Sequence, residues 1–96
     1  MTPVQASLIA LLTYIQVSRD HCGYLIDVDL LQQAAAHAGV TFQTSDQTKA
    51  REEGFADAER RFAGIRRAVE CSYAIERFGP TGLEMKGLIE RRAAGQ

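Results

Sequence analysis

Few side chains in this sequence could do chemistry, and their spacing argues against most of it. His21 stands beside Cys22, the residue types of a general base and a thiolate nucleophile. Adjacent side chains in a polar break seldom point at one another, and no triad-like context surrounds them. The pair therefore reads as a loop pair with no catalytic role, and an enzyme is not expected. His21, Cys22, His37 and Cys71 are the available histidine and cysteine ligands, but they lack the C-x2-C or H-x3-H spacing of a zinc site. No metal and no cofactor is expected. Two cysteines are too few for a disulfide framework, and Cys71, inside a helical pattern, reads as a small buried hydrophobe. No charged n-region or cleavage signal precedes the first apolar run, so a reducing, cytoplasmic setting is the default expectation.

Recognition chemistry has a clearer trace. Ala34 to Thr44 reads AAAHAGVTFQT. The segment resembles the helix-turn-helix of the lactose-repressor family, in which A-x-x-A-G-V-[ST]-[YF]-Q-T crosses the turn. Here Ala35, Ala38, Gly39, Val40, Thr41, Phe42, Gln43 and Thr44 carry the match. The resemblance implies that Thr41, Phe42 and Gln43 open a recognition helix in the major groove, with Gln43 suited to an adenine edge and Thr41 and Thr44 beside it. The positions that follow depart from the family. Ser45 stands where an apolar residue locks the two helices, and Asp46, Glu52 and Glu53 leave only Lys49 and Arg51 for phosphate contacts.

Arginines form the third group: Arg60-Arg61, Arg66-Arg67, Arg77 and Arg91-Arg92. Asp57 with Arg61 and Arg66 with Glu70 are i,i+4 steps, so the plain reading is a solvated helix surface laced with ion pairs. A recognition reading stands beside it, because arginine is enriched at interface hot spots and pairs with planar acids on a partner. Globally the charges nearly cancel, 11 basic against 12 acidic. No overall field draws the chain to nucleic acid or to an anionic membrane.

The elements that must position these residues are helical. Thr44 to Phe78 reads as one long amphipathic helix, opened by the capping-box spacing Thr44-x-x-Gln47 and closed by Gly79, in the left-handed position, and Pro80. Within it Phe55, Ala58, Phe62, Ile65 and Val69 recur at three- and four-residue steps, the spacing of a seam against another helix. Gly54 and Gly64 each cost about 1 kcal/mol in a helix interior, so each marks a bend or a close approach, and Gly54 is the expected break. Thr2 and Pro3 open a first helix to Ser18, with Val4, Leu8, Leu11, Leu12 and Ile15 on one face and Ile9, Ala10, Tyr14 and Val17 widening it. It is too short and polar to span a membrane, and it reads as a central core helix.

After the polar break Arg19 to Tyr24, the segment Tyr24 to Val28 is a short strand or the lead-in to a second helix. That helix is capped by Asp27 or Asp29 and ends at Gly39. Val40 to Gln43 is a brief extended connection whose Val40 and Phe42 pack onto the neighbouring helices. In the tail, Leu83 and Met85 alternate like a strand, but Leu88 and Ile89 suit a short helix ending in Arg91 and Arg92, which would fold back on the long helix or swap to a neighbour. Ala93 to Gln96 reads as frayed.

These readings combine into an all-α, three- or four-helix domain spanning residues 1 to 96, homodimeric through apolar helix faces. The function expected is that of a small regulatory protein-binding module, an anti-activator or inhibitor. It would dock an apolar face made of Leu8, Leu11, Leu12, Ile15, Phe55, Phe62, Ile65 and Val69 on a larger protein, such as a transcription regulator. The alternative is a DNA-binding regulator using Thr41, Gln43 and Thr44.

Overall fold

A computed structural model describes residues 1–82 and 86–91. Over these residues four α-helices, one 3-10 turn and one two-stranded ladder follow the order α1 (Pro3–Cys22), β1 (Leu25–Ile26), α2 (Val28–Ala38), α3 (Ser45–Arg61), the turn Gly64–Arg66, α4 (Arg67–Phe78) and β2 (Ile89–Glu90). The mainly helical architecture matches the expectation.

Helix α1 is the centre of the fold. Thr2 caps it through a reciprocal pair: its hydroxyl accepts from the Gln5 N–H at 3.1 Å, and its own N–H donates to Gln5 Oε1 at 3.0 Å. The chain then buries α1 on several sides, with Ile9, Ile15 and Val17 almost without solvent contact. Thr13 and Ser18 are equally buried, which is tolerable because their hydroxyls donate back to the carbonyls of Ile9, Ala10 and Ile15. The expected polar break after Ser18 is corrected: Arg19 to Cys22 complete the last turn of α1, so His21 and Cys22 are helical, and left-handed Gly23 (φ 72°) ends the helix. Asp27 then caps α2, its carboxylate accepting from the Leu30 N–H at 2.9 Å. Helix α2 runs back antiparallel to α1 and ends at Gly39, where Gln5 Nε2 donates to the Ala38 carbonyl at 3.0 Å.

Helix α3 returns parallel to α1. Paired contacts advance together along both: Met1 with Asp46, Thr13 with Gly54, and His21 with Glu59 and Phe62. Gly54 allows this approach, because a Cβ there would lie 2.4 Å from Thr13 Oγ1. Gly54 therefore marks close contact, and α3 continues through it.

The break in the long helix comes later. Helix α3 stops at Arg61 with Phe62 as its C-cap, Gly64 takes the left-handed conformation (φ 62°), and the chain restarts as α4. One straight helix over 44–78 would be about 50 Å long, longer than the 40 Å greatest extent of the molecule. Breaking it lets Phe62 fill the core between Tyr14 and His21, at ring-centroid distances of 5.2 and 5.7 Å. It also brings α4 back over α1, where Tyr14 meets Phe78 at 5.9 Å.

Two cross-links hold α4 there. Cys22 and Cys71 form a disulfide with Cα atoms 5.7 Å apart, and the Tyr24 hydroxyl donates to the Cys71 carbonyl at 2.6 Å. The expectation of two unlinked cysteines, with Cys71 a plain hydrophobe, is thus corrected: the halves of the pair lie on neighbouring elements that tertiary packing alone brings together. Gly79 also differs from its expected left-handed cap. Its φ is −77°, and glycine is needed because a Cβ would sit 2.3 Å from the Ile75 carbonyl oxygen.

The tail corrects a further expectation. Leu88 and Ile89 lie in or beside a strand: β2 pairs antiparallel with β1, Leu25 opposite Glu90 and Ile26 opposite Ile89, and the Leu88 carbonyl accepts from the Asp27 N–H at 2.9 Å. Both side chains are fully buried. The alternation at Leu83 and Met85, the helix end at Arg92 and the frayed segment Ala93 to Gln96 lie outside the described residues. No described helix is long and apolar enough to cross a membrane.

Candidate docking surface

Helix α4 has two apolar faces. Its inner face places Cys71, Ala74, Ile75 and Phe78 against the core. Its outer face, continued from the 3-10 turn, carries Ile65, Val69 and Tyr73 one helical turn apart, with 98%, 73% and 37% of their surface in solvent. Ile65 and Val69 stand open to solvent, while the Arg77 guanidinium lies over the Tyr73 ring. Solvated surfaces tolerate single apolar side chains, but a row of three at i,i+4 spacing forms a continuous strip.

Beside the strip, α1, α3 and α4 leave a cleft of about 400 Å³ lined by Ala10, Leu11, Tyr14, Gly54, Asp57, Ala58, Arg61, Tyr73, Arg77 and Phe78. Its lining joins apolar and aromatic side chains to Arg61, Arg77 and the acid Asp57. The Arg61 guanidinium lies 5.9 Å from the Tyr14 ring centroid, and that of Arg77 lies 4.7 Å from the Tyr73 ring centroid. The Tyr14 hydroxyl donates to the Glu70 carboxylate, and burial together with that bond holds its pKa far above the usual tyrosine range. Glu70 is thereby turned inward, and the expected Arg66–Glu70 surface pair is not made. Asp57 likewise pairs with Arg60 in place of Arg61. A shallower groove along α1, formed by Pro3, Val4, Ser7, Leu8 and Leu11, shares Leu11 with the cleft.

The residues expected to dock a partner therefore fall into three groups. Leu12, Ile15 and Phe62 are buried in the core and have no surface to offer. Leu8, Leu11 and Phe55 are half-buried at its edge, and Ile65 and Val69 are exposed on α4. The cleft residues Tyr14, Arg61 and Arg77 were not among the expected contacts. The i,i+4 step from Tyr73 to Arg77 was a legible signal for part of it, but nothing local links Tyr14 to α3 and α4.

The helix-turn-helix segment has a different build from the one its resemblance implies. Helix α3 begins at Ser45 with Thr44 as N-cap, so Thr41 and Gln43 lie in the preceding loop. Phe42 in that loop is left-handed (φ 58°), so the connection is a turn where an extended segment was expected, although Val40 and Phe42 do pack inward. Gln47 organises the loop: its Oε1 accepts from the Thr41 and Phe42 N–H groups at 2.9 Å each, and its Nε2 donates to the Gly39 carbonyl at 3.3 Å. The Thr44 hydroxyl still accepts from the Gln47 N–H, but the reciprocal half of the capping box is given up to the loop. Asp46 occupies the first turn of α3. The Thr44 hydroxyl and the chain's amino terminus lower its pKa to about 2, so a carboxylate stands where a phosphate would have to approach. Helices α2 and α3 each pack on α1 and share no extended contact with each other.

His21 and Cys22 point apart, His21 Nε2 to Glu59 at 2.8 Å and Cys22 to its disulfide. Among the described residues no group of three or more His, Cys, Asp or Glu side chains is placed to hold a metal ion. The chain matches no protein-family model, no curated protein sequence and no solved structure.

Proposed function

We propose that this chain is a small regulatory protein-binding module that docks the outer face of α4 on a larger protein and inhibits or modulates it. The observation that carries this reading is the row Ile65, Val69 and Tyr73, its first two side chains open to solvent, beside a helix whose other face already fills the core. An apolar strip open to water costs free energy that burial in a complex recovers, at roughly 25 cal/mol per Å². A transcription regulator is one partner of the expected kind, and a second copy of the chain is another. The test is a photo-crosslinking side chain at Val69 in living cells, with a control at the exposed Glu52 on α3. A protein adduct at Val69 and none at Glu52 is expected, and an adduct of twice the chain mass would identify a homodimer. Absence of any adduct at Val69 ends the reading.

The competing reading, a DNA-binding regulator, rests on the turn between α2 and α3. A gel shift with random duplex at low salt tests it, because phosphate affinity precedes sequence preference. The expected cytoplasmic setting would hold Cys22 and Cys71 as thiols, whereas their disulfide belongs with an oxidising compartment. Thiol labelling in intact cells decides between the two.

A further inference from the structure

The charges around the α4 strip are distributed unevenly, although the chain as a whole carries a net charge of only −1. Arg66 and Arg67 are exposed at the start of α4, Arg61 lines the cleft, and Arg77 stacks on Tyr73 one turn beyond the end of the row. Of the described acids near the strip, the Glu70 carboxylate accepts from the Tyr14 hydroxyl and Asp57 pairs with Arg60. Glu76 stands at the C-terminal end of the face. The exposed acids Asp46, Glu52 and Glu53 lie on α3, towards its N-terminal end.

Resting on the protein-binding reading above, we infer that the occupant of this face is an acidic amphipathic helix of a partner protein. Its apolar residues lie along Ile65, Val69 and Tyr73 and into the cleft, and its flanking carboxylates meet Arg61 and Arg66. A helix suits the site because the row advances in i,i+4 steps over about 12 Å, the length of two helical turns. Carboxylates suit it because a guanidinium fork takes them bidentately, and because arginine stacked on an aromatic ring is already held in place. Nucleic acid suits it less, because its phosphates would approach arginines separated by an apolar row they cannot dehydrate with profit.

The test titrates isotope-labelled protein with two synthetic stapled helices that share one leucine pattern, one flanked by glutamate and the other by lysine, and follows amide shifts by NMR. The glutamate helix is expected to shift residues of the 3-10 turn, α4 and the cleft. It should bind about tenfold tighter than the lysine helix at low salt, with the difference shrinking as salt rises. Val69→Asp should remove binding of both, and Arg61→Glu with Arg66→Glu should reverse the preference, circular dichroism confirming that each variant is folded. Equal binding of the two helices on this face overturns the acidic partner and leaves the docking reading standing. No shifts with either helix overturns both. Duplex DNA shifting the same residues and displacing the glutamate helix overturns the proposal in favour of nucleic acid.

Discussion

Reducing the Cys22–Cys71 disulfide tests how the fold is held together. The bond joins residues 49 apart in sequence, and the loop it closes contains β1, α2, α3 and the 3-10 turn. In the chain-entropy account, a loop of that length restrains the denatured chain by about 4 kcal/mol at room temperature. The Cα separation of 5.7 Å lies in the ordinary range for a disulfide, so no large backbone distortion offsets the gain. Domains of this size are stable by only about 5–15 kcal/mol in total. Losing 4 should therefore lower the melting temperature by on the order of 20 °C. The assay is urea unfolding followed by circular dichroism, with and without reductant, beside the Cys22→Ser, Cys71→Ser double variant. The reduced protein and the variant should unfold at the same lowered midpoint, and reductant should not affect the variant further. Hydrogen exchange should rise most in α4, because Cys71 is its main covalent tie to α1. A loss below about 1 kcal/mol, or free thiols titrated in unreduced protein, would refute the reasoning.

Three further perturbations probe other parts of the fold. Gly54→Ala should destabilise by about 1–3 kcal/mol in thermal unfolding, because its Cβ meets Thr13 Oγ1 at 2.4 Å, and adding Thr13→Ala should restore part of the loss. Gln47→Ala leaves the Thr41 and Phe42 N–H groups without their acceptor and should cost about 1–3 kcal/mol, with exchange of those two amides rising first. The Tyr14 pKa is raised, so its contribution is fully present below the ordinary tyrosine pKa of 10.0 and is lost as pH climbs beyond it. The unfolded chain releases that proton before the folded chain does. Stability should decline on the alkaline side of pH 10, and Tyr14→Phe should flatten the decline.

The starts of α1 and α2 and the stop of α2, each set within one turn, proved readable. Thr2 and Pro3 open α1, Asp27 opens α2 and Gly39 ends it, because caps and left-handed termini depend on residues within one turn of each other. The reading failed where distant contacts decide. Gly54 and Gly64 look alike in sequence, yet Thr13 explains one and the return of α4 over α1 explains the other. Leu88 and Ile89 are too short a run to show a period, and only the partner strand at Leu25–Ile26 makes them extended. The disulfide and the cleft join residues from separate elements, so no spacing rule could announce them. The helix-turn-helix resemblance captured a real turn between two helices but misplaced the start of the second, since Thr44 proved a better cap than Thr41.

The seam Phe55, Ala58, Phe62, Ile65 and Val69 looked like one edge of one helix, and the break at Gly64 divides it into two surfaces of opposite fate. Up to Phe62 the row faces α1. Beyond it the orientation of α4 is fixed by the disulfide and by Ala74 and Phe78, which turns Ile65 and Val69 outward. The two halves should therefore respond differently to the loss of apolar character. Phe62→Ala removes a side chain with no solvent exposure that packs against Tyr14 and His21, and should cost about 3–5 kcal/mol in urea unfolding. Val69→Asp should change stability by no more than about 0.5 kcal/mol while abolishing capture of a partner. If Val69→Asp instead unfolded the chain, its side chain would belong to the core, α4 would have to be rotated, and the apolar strip on which the docking proposal stands would not exist.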